Sequence, residues 1–124
     1  MTLTVTNPGA APSAAARAEL RGTPASRGQA TGPARILREA ADVARLSAGD
    51  IAIVASAAPV WTPLLSVVAG VITETGGALS SLAVAAREYG IPAVVGVHNA
   101  TIVICDGQIV TIDGGRGTVW APAD

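Results

Sequence analysis

The residues best suited to chemistry lie in one stretch, Thr73 to Val95, which reads TETGGALSSLAVAAREYGIPAVV. Gly76-Gly77 makes a loop whose backbone can approach a ligand closely or take a positive φ. Ser80 has the side chain of a helix N-cap, an oxygen able to accept from an amide two or three residues on. From Ser81 to Tyr89, the residues Leu82, Ala85, Ala86 and Tyr89 recur at helical spacing, with Arg87 and Glu88 the only charges. Gly90 suits the left-handed position after a helix, and Pro92 prevents its continuation. A helix that starts behind two glycines leaves its first amides unpaired at the positive end of its dipole, which is a ready place for an anion such as phosphate. Thr73 and Glu74 stand just ahead of the glycines, where they either order this loop or simply end a strand.

A serine hydroxyl attacks only when a partnered base takes its proton. Ser81 therefore reads first as an inert residue of the first helical turn and second as a phosphate acceptor. His98 is the only histidine and falls in the turn GVHNAT. It reads first as a surface residue, and as a base or acceptor only if the fold brings it beside Ser81. Cys105 reads as a buried strand residue. Trp61 reads either as a partner-facing anchor or as an edge of the core.

The elements that must position these residues are built from small aliphatic side chains. Of 124 residues, 50% are hydrophobic and 14% charged, with no Phe, one Tyr and two Trp, and the mean hydropathy is +0.50. Such a core suits a sheet covered by helices. The net charge of -1 leaves no basic field for nucleic acid or an anionic membrane. No apolar run is long enough to span a bilayer, and the first residues lack a signal-peptide pattern. A single cysteine excludes an internal disulfide and a cysteine metal cage, so no metal ligands are assigned and a reducing cytoplasm is the simplest setting.

Along the chain, residues 1–19 are rich in Ala, Pro and Ser and read as a flexible leader, with a short helix over Ala14–Leu20 compatible with their composition. One folded domain is expected over residues 20–124. Arg21–Gly32 is dense in turn formers and reads as a loop or broken edge strand, Ala34–Leu37 as a brief strand, Glu39–Leu46 as a turn of helix, and Ile51–Ala55 as a buried strand. Thr62-Pro63 predicts a helix from about Pro63 to Val68, followed by a strand at Val71–Thr73. After the helix at 81–89 and the strand Ala93–Val95, Thr101–Cys105 and Gln108–Ile112 read as a hairpin around Asp106-Gly107. A further turn at Asp113-Gly114-Gly115 leads to a last strand at Gly117–Trp120. The pattern is a compact mixed α/β domain.

These blocks together (GTPASRGQATGPARI, GDIAIV, WTPLL, GVITETGGALSSLAVAAREYGIPAVVGV, NAT and DGQIVTIDGGRGTV) resemble the mobile, swivelling phosphohistidine domain of phosphoenolpyruvate-utilising enzymes. The resemblance runs from about Leu20 to Val119. It implies a swivelling β/β/α domain that carries phosphate between an ATP-grasp-type kinase domain or subunit and an acceptor-binding domain or subunit. ATP or phosphoenolpyruvate with Mg is then expected on those partners, and no cofactor on this domain. The domain is at most a phosphotransferase subunit, incomplete alone. The family segment runs glycine, glycine, two variable residues, serine or threonine, histidine. Gly76, Gly77, Ala78, Leu79 and Ser80 match it, and Ser81 stands at the histidine position. The resemblance further assigns Thr73, Glu74, Gly76, Gly77, Ser80 and Arg87 to the phosphate loop.

An imidazole is a good nucleophile near neutral pH and forms a phosphoramidate with high transfer potential. A serine ester transfers onward poorly, so the relay is expected to be absent. Two histories fit Ser81: the domain has lost the relay, or the position was altered to block it. The rival readings are a non-catalytic interaction module that docks a larger ATP-binding partner, and a small-anion binder at Gly76-Gly77.

Overall fold

The computed structural model describes residues 17–122. Eight strands, two α-helices and two 3₁₀ helices follow one another. They are β1 (Arg17–Arg21), β2 (Thr23–Ser26), β3 (Gln29–Leu37), a first 3₁₀ helix (Ala40–Arg45), β4 (Ile51–Val54) and a second 3₁₀ helix (Pro59–Ser66). Then come β5 (Gly70–Thr73), α1 (Ser81–Tyr89), β6 (Ala93–Val95), α2 (Ala100–Val103), β7 (Ile109–Asp113) and β8 (Thr118–Pro122). The strands form one sheet ordered β1-β8-β7-β3-β4-β5-β6-β2. The run from β3 to β6 is parallel and every other pairing is antiparallel. This is the mixed α/β architecture that the alternation of strands and short helices implies. No helix among the described residues is long and apolar enough to cross a membrane.

β3 serves both halves. Gln29–Pro33 pairs with β7 and Ala34–Leu37 with β4. Pro33, which lacks a ladder donor, stands where one pairing gives way to the other. The two ends of the sheet are also brought together, because Gly22 alone separates β1 at one end from β2 at the other. The Gly22 amide donates to the Gly117 carbonyl (2.8 Å), and the Gly114 amide to the Gly28 carbonyl (2.8 Å). The sheet is therefore curled, with an inside and an outside.

Side-chain alternation divides the core accordingly. Ile51 and Ile53 of β4 point inward with Ile72, Val94 and Ile112. Ala52 and Val54 point outward with Val71 and Val95, beneath Trp61, Leu64, Leu65 and Leu82. A nine-residue helix is marginal by itself in water. Burial of Leu82, Ala83, Ala85 and Ala86 against β4–β6 is what holds α1 in place.

Several expectations need correction. Residues 17–20, read as leader or short helix, belong to β1, paired along its length with β8; the rest of the 1–19 leader lies outside the described residues. The turn formers of 21–32 are spent on Gly22 and on a tight turn at Gly28 (φ 121°), so β2 fits between them and β3 starts directly after the second. The helix at Pro63 begins earlier, at Pro59, and is 3₁₀. The predicted strand Thr101–Cys105 is instead α2: Ala100 and Ile104, four residues apart, are the buried pair, while Ile102 and Val103 are exposed. Helical spacing of the two anchors overrides the strand preference of TIVIC. Cys105 is consequently exposed. Asp106-Gly107 still turns, with Gly107 at φ 88°, but β7 pairs with β3 and β8 and not with residues 101–105.

At the end of β7, Asp113 is buried. Its Oδ1 accepts from the Gly115 and Arg116 amides (3.0 and 3.1 Å) and its Oδ2 from Gln29 (3.0 Å). Burial pushes this carboxyl up, but the bonds from Gln29, Arg116 and Gly115 outweigh it and hold its pKa below the ordinary value. A depressed carboxyl stabilises the fold above its unfolded pKa, and that contribution is lost as pH falls through the folded value. Asp113→Asn should thus cost about 1–3 kcal/mol at neutral pH. It should also flatten the loss of thermal stability below roughly pH 4. Melting curves at stepped pH check both; parallel acid limbs for the two proteins would contradict the assignment.

Candidate functional site

The parallel strands β4, β5 and β6 end at one edge of the sheet, and their exit loops, residues 55–58, 74–80 and 96–99, lie there together. Ligands of α/β sheets bind at such carboxyl ends. The loop after β5 is first laid along β4: the Glu74 amide donates to the Val54 carbonyl (3.0 Å) and the Thr75 amide to that of Ala55 (3.1 Å). Thr73, fully buried, donates its hydroxyl to the Thr75 carbonyl (2.6 Å). It orders the loop from below.

Gly76 takes φ 104°, and a Cβ there would stand 2.8 Å from that of Ala57. Gly77 has neither constraint. Only the first glycine is required by backbone conformation, while the second leaves the lip of the loop open. The Ser80 amide then donates to the Gly77 carbonyl (3.0 Å), and α1 begins at Ser81.

Ser80 occupies the N-cap position, yet its side chain makes no capping bond. Its oxygen is shielded from solvent and unpartnered. Ser81 is exposed on the first turn. Among the described residues no base is hydrogen-bonded to its hydroxyl. Arg87, six residues on, reaches back across the loop. It donates to the Ala78 carbonyl (2.7 Å) and to the Ala25 carbonyl on β2 (2.6 Å). No carboxylate among the described residues pairs with it, and no other charged side chain occurs from Thr75 to Arg87. Together with the dipole of α1, it makes the tip electropositive.

Two residues point elsewhere. Glu74 accepts from both the amide and the hydroxyl of Thr101 (2.7 and 2.6 Å), so its carboxylate tethers α2 rather than lining the glycine loop. Glu74→Ala should cost about 1–3 kcal/mol by orphaning those donors, and Glu74→Gln less. Faster amide hydrogen exchange at Thr101 in the alanine variant checks this. His98 is exposed on the loop after β6, whose Gly96 lies against the Gly76 carbonyl. No hydrogen bond joins His98 to Ser81. Trp61 is resolved as core, 8% exposed beneath α1.

Sequence reasoning missed the carbonyls of Ala25 and Ala78 as anchors for Arg87, and Thr101 as the partner of Glu74. Backbone acceptors and contacts 27 or 62 residues apart leave no local signal. Among the described residues no group of three or more His, Cys, Asp or Glu side chains converges as a metal set.

The fold and site define a small curled-sheet α/β domain that presents one exposed, electropositive helix tip. Residues 46–117 match the family described as "PEP-utilising enzyme, mobile domain", and the chain belongs to that family. It is 47% identical over 98 residues to a rifampicin phosphotransferase of Bacillus cereus, covering 79% of this chain and 11% of that protein. It is 39% identical over 105 residues to a phosphoenolpyruvate synthase of Aeropyrum pernix, covering 84% of this chain and 13% of that one. Among solved structures, the NMR structure of an Enzyme I protein superposes with a TM-score of 0.56 at 33% identity, covering 64% of this chain and 33% of the other. The chain spans only 3% to 13% of the length of the first curated relatives it matches. They include phosphotransferases and phosphoenolpyruvate synthases and also a chondramide synthase of Chondromyces crocatus, 50% identical over 101 residues.

Proposed function

We propose that this chain is the mobile carrier of a phosphoenolpyruvate-utilising or dikinase-type phosphotransfer system, with its relay blocked at position 81. The observation that carries this reading is the exposure of Ser81 on the first turn of α1, behind Gly76-Gly77, on a helix whose Arg87 reaches back to Ala78 and pairs with no carboxylate among the described residues. The glycine loop, the start of α1 and the reach of Arg87 back to Ala78 support a place for a phosphorylated side chain, with serine where the family segment has histidine. Ser81 has no base beside it, and an unactivated serine does not relay phosphate.

In this reading an ATP-grasp-type kinase domain or subunit supplies the phosphoryl group and a separate acceptor-binding domain or subunit receives it. ATP or phosphoenolpyruvate with Mg belongs to those partners. This domain contributes position and electrostatics, and the setting is cytoplasmic. The lack of a base hydrogen-bonded to Ser81 among the described residues also favours a second reading, an interaction module that keeps the docking surface without the chemistry. Ser81→His separates the two. Acid-labile phosphate on the variant, with ATP or phosphoenolpyruvate and the kinase-type partner, supports a blocked carrier; no label on the variant supports the interaction module.

A further inference from the structure

Arg87 meets two backbone groups that the fold leaves open. The first is on β2. Thr23 pairs with Val95 and Pro24 with Val94, but the register then shifts, and it is Ser26 that faces Ala93. Ala25 is left out of the ladder as the extra residue of a bulge. It is buried, so its carbonyl needs a donor from elsewhere. Nη1 of Arg87 supplies one at 2.6 Å. The second group is in the loop ahead of α1. A Cβ on Gly77 would meet nothing within 4 Å, Leu79 is 88% exposed, and Ser80 makes no capping bond. Packing and capping therefore do little to fix residues 77–80. The Ser80 amide holds the Gly77 carbonyl, and Nη2 of Arg87 holds that of Ala78 at 2.7 Å.

We infer that Arg87 is a positioning residue for position 81, acting through the Ala78 carbonyl rather than by touching a phosphoryl group. Its two terminal nitrogens form a rigid planar pair, and both are occupied by neutral carbonyls. Because Arg87 belongs to α1, this fork locks the helix, the loop before it and the bulge of β2 into one unit. The fork, not the charge, is what the tip requires. The role in phosphotransfer rests on the carrier reading above; the clamp itself does not.

Arg87→Lys separates the two properties, because an ammonium keeps the charge on a flexible stem and loses the planar pair of donors. In the otherwise unaltered chain, Arg87→Lys should speed exchange of the Ser80 amide roughly tenfold or more. It should also shift the amide nitrogens of Leu79 and Ser26, which share peptide groups with the two gripped carbonyls. Exchange in β4 and β5 should not change. With Ser81→His, the kinase-type partner and radiolabelled ATP or phosphoenolpyruvate, Arg87→Lys should lower kcat for labelling roughly ten- to a hundredfold with KM little changed. Arg87→Met should do the same. Labelling by Arg87→Lys at the parent rate, with Arg87→Met slow, assigns the role to charge and overturns the inference. Unchanged Ser80 exchange and unmoved Leu79 and Ser26 signals overturn the clamp while leaving the carrier reading intact. No label on the Ser81→His parent overturns the carrier reading, and exchange and shifts, which need no partner, still decide the clamp.

Discussion

Ser81→His is expected to turn an unlabelled protein into one that takes up phosphate stoichiometrically. Among the described residues no base is hydrogen-bonded to the hydroxyl, and the help of a positioned base is worth roughly 10²–10⁴ in rate. An imidazole needs no such help near neutral pH. The increase in initial labelling rate should therefore be at least about a hundredfold, and the bond formed should be acid-labile. Ser81 is exposed on the first turn of α1, where a larger ring can be held at the surface. The melting temperature should stay within a degree or two of the parent, which separates a chemical gain from a structural one. Acid-stable label on the unsubstituted protein would instead mean that Ser81 is itself an acceptor, and the blocked-relay reading would be wrong.

The largest structural effect is expected at Gly114. A Cβ there would overlap the Ser26 carbonyl oxygen and stand 3.0 Å from the Ala93 nitrogen, both backbone atoms unable to rotate away. This is where the turn after β7 closes the curled sheet against β2 and β6. Gly114→Ala should destabilise by about 3 kcal/mol or more, a fall in melting temperature of roughly 10–20 °C for a domain this size. Gly77→Ala is the matched control. It meets nothing within 4 Å and needs no positive φ, so its melting temperature should barely change. Denaturation curves for the pair decide the matter, and equal stabilities would show that the sheet ends are not held together at Gly114.

Local chemistry explains why α1 is legible in the residue order. Gly90 takes φ 73° at its end, Ser80 stands at its start, and the buried face is Leu82, Ala85 and Ala86 at helical spacing. Those signals act within a turn or two of chain, so the helix and the exposed position of Ser81 follow from neighbouring residues alone. The turn at Gly76 is similar, since a positive φ is readily supplied only by glycine. The stretch TIVIC misleads for the opposite reason. Its strand preference is local, but the anchoring of Ala100 and Ile104 inside the curled sheet and the Glu74 carboxylate on Thr101 are not.

What the sequence by itself determined was the helix tip and its glycine loop, because both depend on contacts between near neighbours in the chain. Tertiary structure decided the rest. It sent Glu74 to α2, aimed Arg87 at two backbone carbonyls and buried Trp61. Those outcomes depend on how the sheet curls and which strands become adjacent, and burial and hydrogen bonding between segments tens of residues apart have no periodicity that a single sequence can display.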